Sequence, residues 1–260
     1  MKIVVCVKYV PDTAIKVKIA PDGKTLALAD ASFVVNPYDE YAVEEAIRIK
    51  ERSGGEVIML GAGGEKAATG LRTCLAMGAD SGILVRDEAL ENADSFAIGT
   101  VLAKVCRELS PDLILFGKHA IGVDNGQVPA VVAELLDLPQ VSVVVKLDIL
   151  DRNFRAEREI EGARETVEGS LPAVLTAQKD LNTPRYASLK GIMAAKKKTI
   201  AIRTPDSLGL TPQDLQPRLA IQEITMPPAR PPGRILKVEG DVAETARELV
   251  RLLHQEAKII

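Results

Sequence analysis

The first two-thirds of the chain alternates short, β-branched apolar runs with longer amphipathic stretches. The apolar runs are IVVCV (residues 3–7), EVIML (56–60), GILV (82–85), LILF (113–116) and VSVVV (141–145). Nearly continuous apolarity indicates strands buried on both faces, and alternation with helical segments is typical of a parallel sheet covered by helices. We therefore expect an α/β fold: a doubly wound, mostly parallel sheet in three α/β/α layers.

The clearest helix signal is NPYDEYAVEEAIRIKERSGG, with Asn36 as a cap, Pro37 at the first helical position and an end at Gly54. Further helices are predicted over residues 65–77, 95–109 and 127–136. PDGK predicts a hairpin turn at Asp22 and Gly23. Beyond residue 147 the pattern indicates a two-stranded ribbon and then one more apolar strand.

The last quarter of the chain differs from the rest in proline content and in hydrophobic periodicity. Residues 203–238 contain PPARPPG and no long periodic segment, which predicts an extended arm lying on another surface. Helical periodicity returns over residues 241–260. We expect two parts: an α/β domain over residues 1–200 and a C-terminal arm with a terminal helix over residues 201–260.

Composition narrows the function. The chain has 260 residues, 47% of them apolar. Its 33 basic and 36 acidic residues give a net charge of −3, so its overall charge provides no electrostatic attraction to nucleic acid. The isolated cysteines Cys6, Cys74 and Cys106 lie in apolar stretches and indicate buried thiols. No segment has the length of a signal or membrane span, so we expect a cytoplasmic protein without direct membrane insertion.

Ligands of open parallel sheets lie at the carboxyl ends of the strands, where two glycine-containing loops are found. GAGG (residues 61–64) is either a tight turn or a phosphate cradle; Lys66 replaces the last glycine of GxGxxG. GKHAIGVDNGQVPA (117–130) is either a flexible connector or a loop around phosphate or ribose. No partner for His119 in a catalytic triad, no nucleophile elbow and no Walker loop is recognisable.

A third segment, NTPRYASLKGIMAAKKKT (182–199), combines an isolated tyrosine, a leucine and three lysines. A single aromatic residue and the net negative charge weaken a nucleic-acid interpretation. Two interpretations remain: a solvated basic face with Leu189 in the core, or an interaction site with Leu189 as its apolar tip.

Six blocks in order carry a resemblance to a known family: VCVKYVPD, VVNPYDEYAVEEAIRIKE, LRTCLAMGAD, GKHAIGVDNGQVPAVVAELLDLPQ, EREIEGARETVEGSLPAVLTA and RYASLKGIMAAKKK. The chain resembles the beta subunit of electron-transfer flavoprotein. The resemblance implies a heterodimer whose alpha subunit holds most of a redox-active FAD, while the beta subunit binds AMP. Electrons would pass from acyl-CoA and related flavin dehydrogenases to a membrane electron-transfer flavoprotein quinone oxidoreductase. The chain would be a carrier subunit rather than an enzyme, and its arm would embrace the alpha subunit.

The resemblance also implies roles for particular residues. Thr13 would lie near the flavin. The AMP site would consist of Cys6, Asn36, Pro37, Tyr38, Asp39, Ala62, Gly117, Lys118, His119, Ala120, Ile121, Gly122, Val123, Asp124, Asn125, Gly126, Gln127, Val128 and Pro129. The loop 183–198 would recognise the dehydrogenases through Tyr186, Leu189, Ile192, Met193, Lys196, Lys197 and Lys198.

Three alternative functions have different sequence signatures. An electron-bifurcating branch of the family binds a second FAD in place of AMP, but Gly122 and Asn125 stand where its loop has Asp and Thr, so we predict AMP. An ATP-using ligase on a related sheet would carry a Ser-Gly-Gly phosphate loop where this chain has VKYVPDTA. A nucleotide-binding stress protein would end soon after the last strand.

Overall fold

The computed structural model of the chain describes residues 1–230, 232–237 and 240–260. These residues form two units, Met1–Glu223 and Ile224–Ile260. The first unit contains the sheet and extends beyond the boundary at residue 200 drawn from the sequence. The second unit contains one helix.

A nine-stranded sheet dominates the first unit, with the order β11-β5-β4-β1-β6-β10-β7-β8-β9. The described strands are β1 (Lys2–Cys6), β2 (Tyr9–Pro11), β3 (Phe33–Val35), β4 (Glu56–Gly63), β5 (Ser81–Arg86), β6 (Leu113–Gly117), β7 (Gln140–Leu150), β8 (Asn153–Ile160), β9 (Ala163–Ser170), β10 (Ala173–Ala177) and β11 (Ile200–Arg203). Strands β11 to β7 in this order are parallel, whereas β8 and β9 extend the sheet antiparallel. The predicted strands and the ribbon of β8 and β9 are confirmed.

Helices cover both faces of the sheet. In the first unit these helices are α1 (Pro37–Ser53), α2 (Ala67–Met77), α3 (Ser95–Leu109), α4 (Gln127–Leu136) and α5 (Leu189–Ala195). The second unit contains α6 (Val242–Gln255). The pleat of β1 divides the core, because Ile3 and Val5 pack with α1 and α2 while Val4 and Cys6 pack with α3 and α4. The predicted doubly wound, three-layer α/β/α fold is confirmed.

The topology fixes where the strand order reverses. Strands β4 and β5 lie on one side of β1, and β6 and β10 lie on its other side. The crossovers on the two sides use opposite faces of the sheet. The carboxyl ends of β1 and β6 therefore flank a topological switch point, the usual ligand crevice of open α/β sheets.

Three local expectations need correction. The PDGK turn is present, but it closes a single bridge between Ile19 and Leu26 rather than two strands. Strand β11 and the small ribbon of β2 and β3 were not predicted. Asn36 precedes α1, yet its side chain makes no capping hydrogen bond, because it is used elsewhere.

The C-terminal segments differ from the rest of the chain. Residues 210–230 and 232–237 contain no helix or strand, and residues 231, 238 and 239 of the predicted arm lie outside the described part of the chain. In the second unit α6 is amphipathic, and none of its residues is buried within the chain. Among the described residues, no helix combines the length and apolarity needed to cross a bilayer.

Gly99 allows α3 to pack closely against α4, and a substitution at this position tests that packing. A Cβ at this position would lie 2.4 Å from Cγ1 of Val131. Alanine normally stabilises a helix by about 1 kcal/mol over glycine, whereas overpacking costs roughly 1–3 kcal/mol. We expect Gly99→Ala to lower the free energy of unfolding in urea by up to about 2 kcal/mol, the overpacking cost less the gain in helix propensity. Gly233→Ala, where an added Cβ meets nothing within 4 Å, is the control; stabilisation by Gly99→Ala would contradict the packing.

Candidate functional site

The candidate site lies at the switch point, where the start of α1 meets the segments that follow β1 and β6. Asn36 is fully buried, and Asp39 is 5% exposed. Asp39 Oδ2 accepts a hydrogen bond from the Lys8 amide at 2.7 Å, and its Oδ1 accepts from the Gly117 amide at 3.1 Å. One carboxylate thus joins the ends of the two strands to α1.

Asn36 extends this junction into the next loop. Its Nδ2 donates to Asp39 Oδ1 and to the carbonyl oxygen of His119, both at 2.8 Å. Its Oδ1 accepts from the Ile121 amide at 3.2 Å. The side chain that the sequence assigned to capping therefore holds the loop after β6, which we call the nucleotide loop (residues 117–126).

Gly117 is required by this contact. A Cβ at this position would lie 2.4 Å from Asp39 Oδ1 and 2.6 Å from the carbonyl carbon of Tyr38. Such distances are far inside van der Waals contact, so a larger residue would separate β6 from α1. The amide of Lys118 then donates to the carbonyl oxygen of Ala177 at the end of β10, which fixes the base of the loop.

The middle of the nucleotide loop turns back through left-handed backbone conformations. Gly122, Asp124 and Gly126 have φ values of 85°, 54° and 60°. His119 Nε2 lies 3.3 Å from Asp124 Oδ1, and the His119 ring packs edge-on against Tyr38. The Lys118 amine lies 4.7 Å from the centroid of the same tyrosine ring. Side chains 122–125 are exposed, so the loop presents polar groups at the carboxyl edge of the sheet.

The chemistry of this loop fits a phosphate ester. It leads directly into α4, whose N-terminus favours negative charge. Lys118 adds a cation, and the side-chain amides of Asn125 and Gln127 are hydrogen-bond donors of the kind that contact phosphate or ribose. Of the other residues assigned to the site, Cys6 and Pro129 are buried, Pro37 is exposed, and Ala62 and Val128 are half-buried. Thr13 is exposed in a turn after β2.

The GAGG turn behaves differently. The amide of Gly64 donates to Glu91 Oε1 at 3.0 Å, and the Gly63 carbonyl accepts from the Asp87 amide. A side-chain carboxylate of the same chain thus occupies the position that a phosphate would need. The tight-turn interpretation is therefore the one that the structure supports at Gly64.

The buried position of Asp39 changes its acidity. Burial raises the pKa of Asp39 to about 7, although hydrogen bonds from Lys8, Asn36 and Gly117 oppose this shift. Among the described residues, no three His, Cys, Asp or Glu side chains come together to hold a metal ion. Cys6, Cys74 and Cys106 are buried and free, in agreement with the sequence prediction.

The second candidate site is the segment around α5. Tyr186 is 99% exposed, Leu189 79% and Met193 57%, with Ile192 also exposed. Leu189 is therefore not part of the core. The segment is a short helix capped by Ser188 rather than a loop throughout, since Ser188 Oγ accepts from the Gly191 amide.

Half-buried and exposed polar contacts hold this segment at its first end. Arg185 binds Glu44 and Glu51 of α1 with four side-chain hydrogen bonds of 2.6–3.1 Å. Burial alone would raise the pKa of Glu44, but hydrogen bonds from Arg185 and Arg48 outweigh it and leave that pKa below its usual value. Sequence reasoning missed these residues.

The other end of the segment is held by α2. Arg72 donates to the carbonyl oxygens of Ala195 and Lys198 at 2.6 and 2.7 Å. The Lys198 amine donates to the carbonyl oxygens of Leu75 and Ala79 at the end of α2. Lys196 and Lys197 are exposed, whereas Lys198 is half-buried and attaches the segment to the fold.

The fold and the position of the site define an open-sheet α/β protein of the kind whose ligands lie outside the carboxyl ends of the strands. A family model described as "Electron transfer flavoprotein domain" matches residues 25–208. An electron transfer flavoprotein subunit beta of Bacillus subtilis (strain 168) is 42% identical over 266 residues, covering all of both chains. The corresponding subunit of Homo sapiens is 37% identical over 255 residues, covering 97% of this chain and 99% of the human one. The chain belongs to the electron transfer flavoprotein family, and these full-length relatives are beta subunits.

The acidity of Asp39 predicts a pH dependence of stability. Because the native pKa of about 7 lies above the ordinary value, the native state binds this proton more tightly than the unfolded chain between about pH 4 and 7. The contribution of Asp39 to the free energy of unfolding is therefore largest at low pH and falls as pH rises through about 7. Each pKa unit corresponds to about 1.4 kcal/mol, so the fall is on the order of a few kcal/mol.

We expect Asp39→Asn to remove this fall. Urea unfolding at pH 5 and pH 8 measures it as a difference between wild-type and variant that changes with pH. Asp151→Asn, in the exposed turn between β7 and β8, is the control and keeps the wild-type profile. Parallel profiles for wild-type and Asp39→Asn would show that Asp39 does not titrate in this range.

Proposed function

We propose that the chain is the beta subunit of a heterodimeric, cytoplasmic electron transfer flavoprotein. It binds one AMP and supports the FAD held by the alpha subunit. The heterodimer accepts electrons from flavin dehydrogenases, such as those acting on acyl-CoA, and passes them to a membrane electron-transfer flavoprotein quinone oxidoreductase. Membership of the family and the beta-subunit relatives over the full length support this proposal.

The observation that carries AMP binding is the nucleotide loop at the switch point. Asn36 and Asp39 hold its backbone, and its exposed part offers glycines, Asn125 and the start of α4. Phosphate would be held by loop amides and the N-terminus of α4. AMP has no redox chemistry, so its role in the heterodimer is structural, and the FAD supplies the electron transfer.

The unpartnered apolar surfaces support a carrier that works through other proteins. Helix α6 presents Val242, Leu249 and Val250 to solvent, and no residue of this helix is buried. A helix with such a face gains stability by packing on a partner, which fits docking on the alpha subunit. Helix α5 forms a second exposed apolar surface through Leu189 and Met193. This small surface fits transient recognition of dehydrogenases.

Ligand analysis of the purified heterodimer tests the function. After co-expression with an alpha-subunit gene, we expect one FAD and one AMP per heterodimer in the extracted ligands. Two FAD and no AMP would identify the electron-bifurcating form, which uses the same site for a second flavin. A colourless homodimer with bound ATP would replace the proposal with a nucleotide-binding stress protein.

Leu189 tests the role of α5. Burying one leucine in a partner pocket contributes roughly 1.5–3 kcal/mol, so its loss weakens a complex by about tenfold or more. We expect Leu189→Ala to slow electron transfer from a dehydrogenase by about tenfold at subsaturating concentration, with unchanged FAD and AMP contents. Leu150→Ala, an exposed leucine 53% accessible at the end of β7, is the matched control. Normal kinetics of Leu189→Ala would refute the assignment.

A further inference from the structure

The start of α3 contacts residues 218 and 219 of the C-terminal arm through the carboxylate of Asp94. Asp94 Oδ1 accepts from the Ala97 amide at 2.9 Å, which caps α3. Its Oδ2 accepts from the amides of Arg218 and Leu219, the latter at 3.1 Å. Asp94 therefore serves two elements that are more than 120 residues apart in the chain.

An aromatic contact accompanies these hydrogen bonds. The guanidinium carbon of Arg218 lies 3.4 Å from the centroid of the Phe96 ring. A cation over an aromatic face is attracted electrostatically by the ring. Arg218 is thus held by its backbone at Asp94 and by its side chain at Phe96, two positions on the same helical turn.

These contacts matter because the surrounding part of the arm has no regular secondary structure. Residues 217–230 have no helix or strand, so little regular hydrogen bonding orders this stretch. Ordering such a stretch of backbone costs conformational entropy. Burial alone would raise the pKa of Asp94, but four backbone amides that donate to it outweigh burial and leave its pKa lowered. The carboxylate is therefore charged at neutral pH, which strengthens its hydrogen bonds to the arm.

We propose that Asp94, with Phe96, positions residues 218 and 219 of the C-terminal arm on the α/β unit and so prepares the arm for binding the alpha subunit. This inference rests on the proposed heterodimer. An arm fixed at Arg218 and Leu219 leaves the α/β unit from a defined point, so less ordering remains to be done on binding. Asp94 is a positioning residue and does not itself touch a cofactor.

The variant Asp94→Asn separates the two roles of the side chain. Asparagine caps helices as well as aspartate, so α3 keeps its cap. Its Nδ2 is a donor and cannot accept from the amides of Arg218 and Leu219. The matched control is Asp87→Asn, because Asp87 caps the short 3-10 helix Glu88–Asn92 through the Ala89 amide and does not bind the arm.

Amide hydrogen exchange of the full-length chain alone tests the contact. In Asp94→Asn we expect faster exchange at Arg218 and Leu219, with protection in α3 retained; Asp87→Asn keeps wild-type exchange at both amides. Unchanged exchange at Arg218 and Leu219 in Asp94→Asn would overturn the inference without touching the proposed function.

Binding of the alpha subunit tests the consequence. We expect Asp94→Asn to weaken heterodimer formation by roughly tenfold in titrations with purified alpha subunit, with the AMP content unchanged. Arg218→Ala, which keeps both amides and removes the stacking, weakens binding in the same direction by a smaller factor. Wild-type affinity of Asp94→Asn would overturn the inference, whereas failure of the wild-type chain to bind any alpha subunit would instead overturn the proposed function.

Discussion

A buried pair of polar side chains, Asn36 and Asp39, holds the site together. Burying a carboxylate costs several kcal/mol unless hydrogen bonds replace its lost hydration. Asp39 accepts hydrogen bonds from donors at the end of β1, the end of β6 and the start of α1. Asn36 in turn holds the loop through hydrogen bonds with the backbone of His119 and Ile121. The nucleotide loop is therefore built on rigid elements at the reversal of strand order, the usual place of ligand binding in open α/β sheets.

The segment around α5, which we propose binds partner proteins, also has exposed side chains on a rigidly held backbone. Arg185 joins the segment around α5 to α1, and Arg72 and Lys198 join it to α2. Because these polar contacts fix both ends, α5 can expose Leu189 and Met193 without packing them in the chain. An anchor held in place loses less conformational freedom on binding than the same residue on a mobile loop.

The sequence predicted the parallel strands from their nearly continuous apolar runs, and α1 to α4 and α6 from an apolar periodicity of 3.6 residues. It also predicted the ribbon of β8 and β9. It missed β11, whose four residues follow three lysines and gain strand structure only from pairing with β5. It placed the nucleotide loop among the candidate sites, but composition alone left a flexible connector equally open. The role of Asn36 could not be predicted, since a cap and a tertiary hydrogen bond require the same residue at the same place. The contact of Glu91 with Gly64 joins residues 27 positions apart and has no local signature.

Amide hydrogen exchange in wild-type and Asn36→Ala tests most directly whether the buried pair controls the nucleotide loop. If Asn36 holds the loop, the variant loses protection at Ile121 and Gly117 and across residues 117–126, while the amides of α1 and of strands β1, β4 and β6 before Gly117 remain protected. Unchanged protection of the loop in a folded Asn36→Ala protein would show that other contacts fix it, and would contradict the central role of Asn36 and Asp39.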